Sequence, residues 1–328
     1  MSEKTIKKQF RFIELFAGIG GFRKVLESSP FYGKCVFSSE WDENCAKTYE
    51  NWYGERPNLE DIRDINSSEI PDHDILTAGF PCQPFSLAGV SKKNSMDKAH
   101  GFDDEKQGNL FWEISRIVKD KRPSIVFLEN VKNLKSHDKG NTWDTIYKTL
   151  SEELNYKVFE KVIDSRMWVP QHRERIFIVA FNKEKYSYDI EFEFPKEPLT
   201  PKHNGIQSIL DDDVDSKYTL TDGVWKALQR HSKRHSAKGN GFGYSICDLS
   251  SVSRTLSARY YKDGAEILIH QERKNPRRLT PSETSRLMGF NKNKEEIIVS
   301  DVQAYKQFGN SVVIPVIENI ASEIIRNL

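Results

Sequence analysis

Between residues 11 and 181 short β-rich runs alternate with stretches of helical spacing, and this rhythm limits the possible folds more than any other feature of the chain. The runs are RFIELFAG (11–18), KCVFSSE (34–40), HDILTAGF (73–80), SIVFLENV (124–131) and RIFIVAF (175–181). Between them lie GFRKVLESS, WDENCAKTYENWYG, NLFWEISRIVKDK and TWDTIYKTLSEELN. In the third of these, Leu110, Ile114, Ile117 and Val118 keep the i, i+4, i+7 spacing of one buried face. Such alternation predicts an α/β fold with a mostly parallel sheet covered on both faces. Ligands of that fold gather beyond the carboxyl ends of the strands. The 328 residues suffice for one large domain or two smaller ones.

After about residue 184 the rhythm breaks. EFEFPKEPLTPKHNG is Pro-rich and irregular, DDDVD is acidic, and a second, smaller domain of strands and loops is expected there. Near residue 277 a regular pattern returns with LTPSETSRLMGF, followed by a final helix after GNSVVIPV.

Lys plus Arg number 49 against 48 Asp plus Glu, so any affinity for nucleic acid must come from local clustering. Charged residues are 30% and apolar residues 37%, which suits a soluble globular protein. No apolar stretch approaches the roughly 18 residues of a membrane span. MSEKTIKKQF has charges but no apolar core, unlike a signal peptide. Cys35, Cys45, Cys82 and Cys247 lie far apart without a CxxC pair, so neither a disulfide framework nor a zinc site is expected, and a reducing cytoplasm fits.

FAGIGGF (16–22) follows the first run and opens a helix, and its glycines allow a tight turn with close ligand approach. A G-x-G-x-x-G dinucleotide fingerprint needs a glycine at position 23, where Arg23 stands. Glu40 lies 22 residues beyond Gly18, where a carboxylate can accept hydrogen bonds from ribose hydroxyls. Trp41 beside it can lie against an adenine ring. A nucleoside cofactor without pyrophosphate fits, namely S-adenosylmethionine; an ordinary glycine turn with a solvated Glu explains this motif alone equally well.

AGFPCQPFS (78–86) holds Cys82 between Pro81 and Pro84, which fix the backbone and aim the sulfur. A lone cysteine is more often an inert core residue, the reading given to Cys35 and Cys45. Glu129 in ENV ends another strand and would share the sheet edge with Cys82. A carboxyl after SIVFL is costly in a core and more naturally faces a site. A thiolate and a carboxyl at one cleft suit attack on C6 of cytosine, with the acid bonded to N3 and the exocyclic amine; carbon 5 then accepts a methyl group. Arg173 and Arg175 in QHRERIF fall on one strand face and can clamp a carboxylate, a phosphate or a ring carbonyl. A surface salt-bridge pair is the plainer reading without Cys82 and Glu129. Asn310 is read as sitting on a glycine turn in GNS.

Between residues 226 and 262 eight Lys or Arg face one acid, Asp248, with Phe242, Tyr244, Tyr260 and Tyr261 interleaved. This composition matches either nucleic-acid contact, cations to phosphate and planar groups toward bases, or a solvated basic face. Attack on C6 also requires the base to leave the duplex stack, so a DNA-gripping segment is expected.

FAGIGGF, GFPCQPFS, ENV, QHRERIF, RRLTPSETSRLMGF and FGNSVVIPV resemble, in order, the blocks of bacterial DNA (cytosine-5)-methyltransferases, across nearly the whole chain. The resemblance implies a Rossmann-like S-adenosylmethionine-dependent methyltransferase with a smaller, irregular, β-rich target-recognition domain. It implies Cys82 as nucleophile, Glu129 as the residue activating the base, and Arg173 and Arg175 holding the flipped cytosine and Glu129. Phe16, Gly18, Gly20, Glu40, Trp41, Asp61, Ile62, Pro81 and Asn310 would bind S-adenosylmethionine and its product S-adenosylhomocysteine, and no metal. Gln83, Ser86, Thr255, Ser257, Arg259 and Lys262 would contact double-stranded DNA, partly through the TLSA loop (255–258). The chain divides into 1–183 for catalysis and cofactor, 184–277 for target recognition, and 278–328 returning to the catalytic part. The polar loop 87–108 would close over the flipped base.

HGFDDEKQG, RHSKRHSAKGNGFGY and RTLSARYYKDGAEILI look like enzymes that methylate the inner cytosine of CCGG, CCNGG or CCWGG. The expected protein is a cytoplasmic monomer, functionally paired with a restriction endonuclease. Two positions depart from the pattern: Gln107 replaces a frequent Arg, and Ser282 replaces the Arg of TPRE, removing a partner for a supporting ion pair. A transfer-RNA methyltransferase of the same fold is the main alternative, but none of the four cysteines lies in the CFT tripeptide typical of that branch. A nucleotide-dependent oxidoreductase is disfavoured by Arg23, and a catalytically dead DNA-binding module by the joint presence of Cys82, Glu129, Arg173 and Arg175.

Overall fold

A computed structural model describes residues 9–81, 110–186, 189–239 and 243–328. Its centre is a six-stranded sheet of β1 (Arg11–Leu15), β2 (Lys34–Ser39), β3 (Ile75–Gly79), β4 (Ile125–Val131), β5 (Tyr156–Asp164) and β6 (Glu174–Asn182), in the order β2-β1-β3-β4-β6-β5. Strands β2, β1, β3 and β4 pair in parallel, whereas β6 runs antiparallel to both β4 and β5. That single reversed strand has a consequence for the site, because its amino end reaches the edge where the parallel strands finish. Strand β5 was not anticipated from the sequence. It is an edge strand whose residues are mostly half-exposed, so it lacks the apolar run of its neighbours.

Side chains alternate across the sheet, as period-two geometry requires. Phe12, Ile125, Phe127, Phe177 and Val179 enter one apolar layer; Ile13, Leu15, Val126, Leu128, Ile176 and Ile178 enter the other. The first layer is covered by α1 (Gly21–Leu26) and by the last helix, α8 (Ile314–Ile325), through Phe22, Val25, Ile317 and Ile320. The second is covered by α3 (Phe111–Lys121) and α4 (Asn141–Lys148), through Phe111, Ile114, Ile117 and Ile146. Helix α2 (Glu43–Tyr53) starts with Asp42 accepting the backbone N–H groups of Asn44 and Cys45 at 2.8 and 3.0 Å, a side-chain N-cap.

Within 184–277 the strands β7 (Ile246–Cys247) and β8 (Leu268–Ile269), with β9 (Arg277–Arg278) straddling its end, form a small three-stranded sheet. The reading of strands and loops is corrected by α5 (Asp222–Ser236), a 15-residue helix capped by Thr221, which is the longest element there. Its apolar content is only Val224, Trp225, Ala227 and Leu228, set among basic residues, so no helical stripe stood out. Helices α6 (Pro281–Leu287) and α7 (Asp301–Asn310) follow.

Asp301–Ile325 is long and apolar enough to cross a membrane, with mean hydropathy 1.2 over its most apolar stretch, yet 56% of that stretch is buried in the core. It is two helices broken after Asn310, not one span. The ion pair thought missing beside Ser282 is supplied from another direction: Arg277 holds Glu283 through two bonds of 2.8 and 2.9 Å. Glu283 also completes a capping box with Thr280.

Candidate functional site

Strand order reverses between β1 and β3, and the crevice beyond their carboxyl ends is the binding position of an open α/β sheet. A cavity of about 400 Å³ opens there, walled by the turn after β1, the end of β3, the end of β4, the start of β6 and the segment joining α7 to α8. The turn after β1 has left-handed backbone at Phe16 (φ 54°), Gly18 (φ 56°) and Gly20 (φ 78°). Phe16 carries a side chain in a region that favours glycine, a strained position of the kind found at binding sites. At Gly20 a Cβ would fall 2.4 Å from the Tyr53 ring, and the Tyr53 hydroxyl donates to the Gly20 carbonyl at 2.6 Å. Arg23, in place of a third glycine, is buried over Tyr49 and Tyr53 and pairs with Glu27 and Glu55.

Glu40 closes this turn from β2. Its carboxylate accepts the Gly18 N–H at 2.7 Å and the Asp42 N–H at 2.8 Å. Burial raises its pKa, against those two hydrogen bonds. A second cavity of about 520 Å³ adjoins the first and shares with it Phe16, Glu40, Trp41 and Pro81, while Asp61, Ile62, Arg63 and Leu110 line its far side. Trp41 is 72% exposed, a large apolar face left open beside Ile62 and Phe16. Asp61 is held by Arg63, which keeps its carboxyl below the usual range.

The floor of the first cavity carries a carboxyl the sequence reading did not single out. Glu14, in β1, is buried; its Oε1 accepts the Phe22 N–H at 2.9 Å, and its Oε2 has no partner among the described residues. Loss of solvent pushes its pKa up to about 8. The signal was an acid inside the apolar run RFIELFAG.

Gly79 pairs with Glu129 in the β3–β4 register, so the end of β3 lies directly beside that carboxyl. Glu129 is buried, with Oε1 3.0 Å from the Arg175 Nε. Desolvation raises its pKa, and Arg175 and Arg173 oppose the rise. Asn130, also passed over in ENV, donates to the Phe80 carbonyl at 2.9 Å and steadies the chain entering Pro81. Cys82, Gln83, Ser86, Gln107 and the loop 87–108 lie outside the described residues, and Pro81, the last residue before them, lines both cavities.

The two arginines do different work, which alternation alone did not reveal. Arg175 meets Glu129. Arg173 is fully buried and donates to the Leu256, Gly309 and Ser311 carbonyls, each at 2.9 Å. Desolvation lowers its pKa to about 9, which leaves it charged at neutral pH. Its contact is therefore with the TLSA loop and the α7–α8 segment, not with Glu129, and its Nε has no partner among the described residues. Gln171 joins the same seam, accepting the Leu256 N–H at 2.8 Å.

Asn310 lines the first cavity but ends helix α7 instead of sitting on a glycine turn. The adjoining Gly309 is needed for another reason: a Cβ there would lie 2.5 Å from Ala258 N and from the Ser257 backbone. The TLSA loop thus rests on the rim of the cleft.

In the basic segment, Lys226, Arg230, Lys233, Arg234, Lys238, Arg254, Arg259 and Lys262 are all exposed. Other expected contacts turn inward. The Thr255 hydroxyl donates to the His172 carbonyl at 2.6 Å, and that of Ser257 to Glu266 at 2.7 Å. Tyr260 is core: it is fully buried, with its hydroxyl donating to Ile267 O at 2.7 Å and accepting Leu279 N–H at 2.8 Å. Tyr244 packs edge-on to Trp225, Tyr261 lies under Lys306, and Phe242 is outside the described residues. Among the described residues no cluster of His, Cys, Asp and Glu could hold a metal.

A family model for C-5 cytosine-specific DNA methylases matches residues 10–326. The chain is 50% identical over 322 residues to the Type II methyltransferase M.SsoII of Shigella sonnei, covering 98% of this chain and 81% of that protein. It is 47% identical over 369 residues to the DNA-cytosine methyltransferase of Escherichia coli (strain K12), covering 95% and 76%. Among solved structures, the Entamoeba histolytica methyltransferase EhMeth aligns with TM-score 0.74 over 98% of this chain and 99% of its own, at 20% identity, a likeness of fold.

Proposed function

This chain belongs to the C-5 cytosine-specific DNA methylases and is a DNA (cytosine-5)-methyltransferase; from that premise we propose that it extrudes one cytosine from duplex DNA and methylates it through a covalent Cys82 intermediate. The observation carrying the proposal is the buried Glu129 carboxyl, raised in pKa and oriented by Arg175 at 3.0 Å, on the wall of the cleft that Pro81 enters.

The residues fit S-adenosylmethionine. Buried Glu14 has an oxygen without a partner on the cavity floor, Glu40 has remaining acceptor capacity, and Trp41 offers an open ring face. When bound, that group supplies an electrophilic methyl on a sulfonium. Phe16, Gly18, Gly20, Glu40, Trp41, Asp61, Ile62, Pro81 and Asn310 would hold it, with Asp61 turning from Arg63 toward the ligand.

The Cys82 thiolate adds its electron pair to C6 of the extruded ring. Glu129, whose protonated form burial favours, donates to N3 and accepts from the exocyclic amine, drawing charge through the ring. Carbon 5 becomes nucleophilic and gains the methyl. A water acting as base then takes the C5 proton, and the pair left behind restores the C5–C6 double bond as the Cys82 sulfur departs with the C6–S electrons. Arg175 fixes the rotamer of Glu129 throughout, while Arg173 keeps the TLSA loop against the cleft.

Residues 1–183 would carry catalysis and cofactor, 184–277 target recognition, and 278–328 would close the core again. The target is the inner cytosine of a CC-GG type site, read by Arg259, Lys262 and the TLSA loop with Gln83 and Ser86. The enzyme acts as a cytoplasmic monomer paired with a restriction endonuclease. Substituting Cys82→Ser should abolish methyl transfer with DNA affinity largely retained, and DNA carrying 5-fluorocytosine should trap a covalent complex with the unsubstituted enzyme. Turnover by the serine variant, or an active enzyme that forms no adduct, would overturn the covalent route. Bisulfite sequencing of DNA from a methylation-free host expressing the chain reads the target.

A further inference from the structure

Helix α5 is held by one narrow face. Leu228 is its only buried residue, packed with Leu220 and Leu268, and Trp225 packs beside it against Tyr244. At about 100° per residue, Lys226, Arg230, Lys233 and Arg234 fall within an arc of about 100°, roughly opposite Leu228 and Trp225. All four are exposed. None forms an ion pair among the described residues, and Asp222 is the only acid on the helix. Like charges at i, i+4 destabilise a helix, and Lys226, Arg230 and Arg234 repeat that spacing twice. A bare basic ridge of this kind stands out in a chain with a net charge of only +1. Lys226 and Arg234 are separated by about 12 Å along the axis, the rise of three to four base pairs of one DNA strand.

We propose that this ridge is a track for the phosphate backbone of duplex DNA, which positions the duplex without reading its bases. The proposal rests on the reading of duplex DNA as substrate and adds a division of labour. The TLSA loop faces the cleft, whereas α5 supplies sequence-independent grip.

The test measures the affinity of the full chain, with S-adenosylhomocysteine present, for one duplex bearing the methylated site and one lacking it, across a salt series. Each phosphate contact contributes about 0.9 to the slope of log affinity against log salt, so replacing Lys226, Arg230 and Arg234 together by Gln should flatten the slope by about 2.7. Arg230→Gln alone should flatten it by about 0.9. Both duplexes should weaken by the same factor, and S-adenosylhomocysteine affinity should not change. Lys119→Gln, an exposed lysine in the last turn of α3, should leave the slope unaltered. An unchanged slope in the triple variant overturns the ridge proposal, as does a loss confined to the target duplex or an equal effect of Lys119→Gln. Methylation by the unsubstituted enzyme is scored separately: if it fails on duplex DNA, both readings fall, and if it succeeds, a flat result condemns the ridge alone.

Discussion

Glu14→Gln isolates a group whose burial has a measurable thermodynamic signature. The carboxyl is fully buried in β1 with one oxygen unpartnered, and its pKa rises from 4.5 to about 8 because the charged form loses solvation. An unfolded chain releases this proton near pH 4.5, whereas the folded chain keeps it to about pH 8. The folded state therefore binds more protons between those values, and stability falls as pH rises. The contribution is complete below pH 4.5 and lost as pH passes the folded value. At about 1.4 kcal/mol per pH unit, the loss between pH 5 and pH 9 reaches at most roughly 4 kcal/mol. Gln keeps the shape and an acceptor for the Phe22 N–H but cannot ionise. Urea unfolding of both proteins without ligand, at intervals from pH 5 to pH 9, gives the difference directly, since all other titrating groups are shared. The variant should gain on the parent steadily with pH, by several kcal/mol at pH 9. A difference flat to within about 0.5 kcal/mol would refute the claim that the fold keeps this carboxyl neutral.

Three other perturbations follow from the same geometry. Gly309→Ala puts a methyl 2.5 Å from the Ser257 and Ala258 backbone and should displace the TLSA loop, so filter binding should show weaker or relaxed target choice with unchanged S-adenosylhomocysteine affinity. Arg175→Gln removes the cation 3.0 Å from Glu129 that opposes the rise caused by burial, so that carboxyl should rise further, shifting the alkaline limb of single-turnover methylation upward while the plateau rate falls. Arg277→Met removes both guanidinium bonds from the buried Glu283, leaving it only the Asp211 and Thr280 N–H groups without a cation, and should cost about 3–5 kcal/mol in denaturant unfolding with little change in cofactor affinity.

The catalytic half was legible because its signals were local. Strands β1, β3 and β4 are buried on both faces and read as apolar runs, and α3 shows its buried face as a spacing. Strand β5 escaped because an edge strand with Lys157, Glu160 and Lys161 along it presents no such run. Helix α5 escaped because its anchoring needs only Trp225 and Leu228, too few to set a period within a basic stretch. Tyr260 shows the limit of composition: an aromatic among cations looked ready to meet a base, yet its hydroxyl bridges Ile267 and Leu279 in the core. Glu14 was visible as an acid in a strand, but only the sheet places it beneath the cleft.

The reversed strand β6 explains how the TLSA loop and the Glu129 carboxyl come to share one edge. A parallel strand at that position would begin at the far side of the sheet and carry its first residues away from the cleft. Running backward, β6 delivers Arg173 and Arg175 where β3 and β4 end, on the same face because they are two apart. Arg175 then orients the acid, and Arg173 spends every bond it makes on carbonyls of the TLSA loop and the α7–α8 segment. A buried guanidinium holds its acceptors strongly, since releasing any one leaves a buried donor unmet. A displacement of the TLSA loop is therefore coupled, through one short stretch of backbone, to the arginine beside the Glu129 carboxyl. The same coupling predicts that displacing the loop from α7 by Gly309→Ala alters target choice before it alters the acid, because Arg173 keeps its two acceptors at Gly309 and Ser311 when the loop's carbonyl is withdrawn.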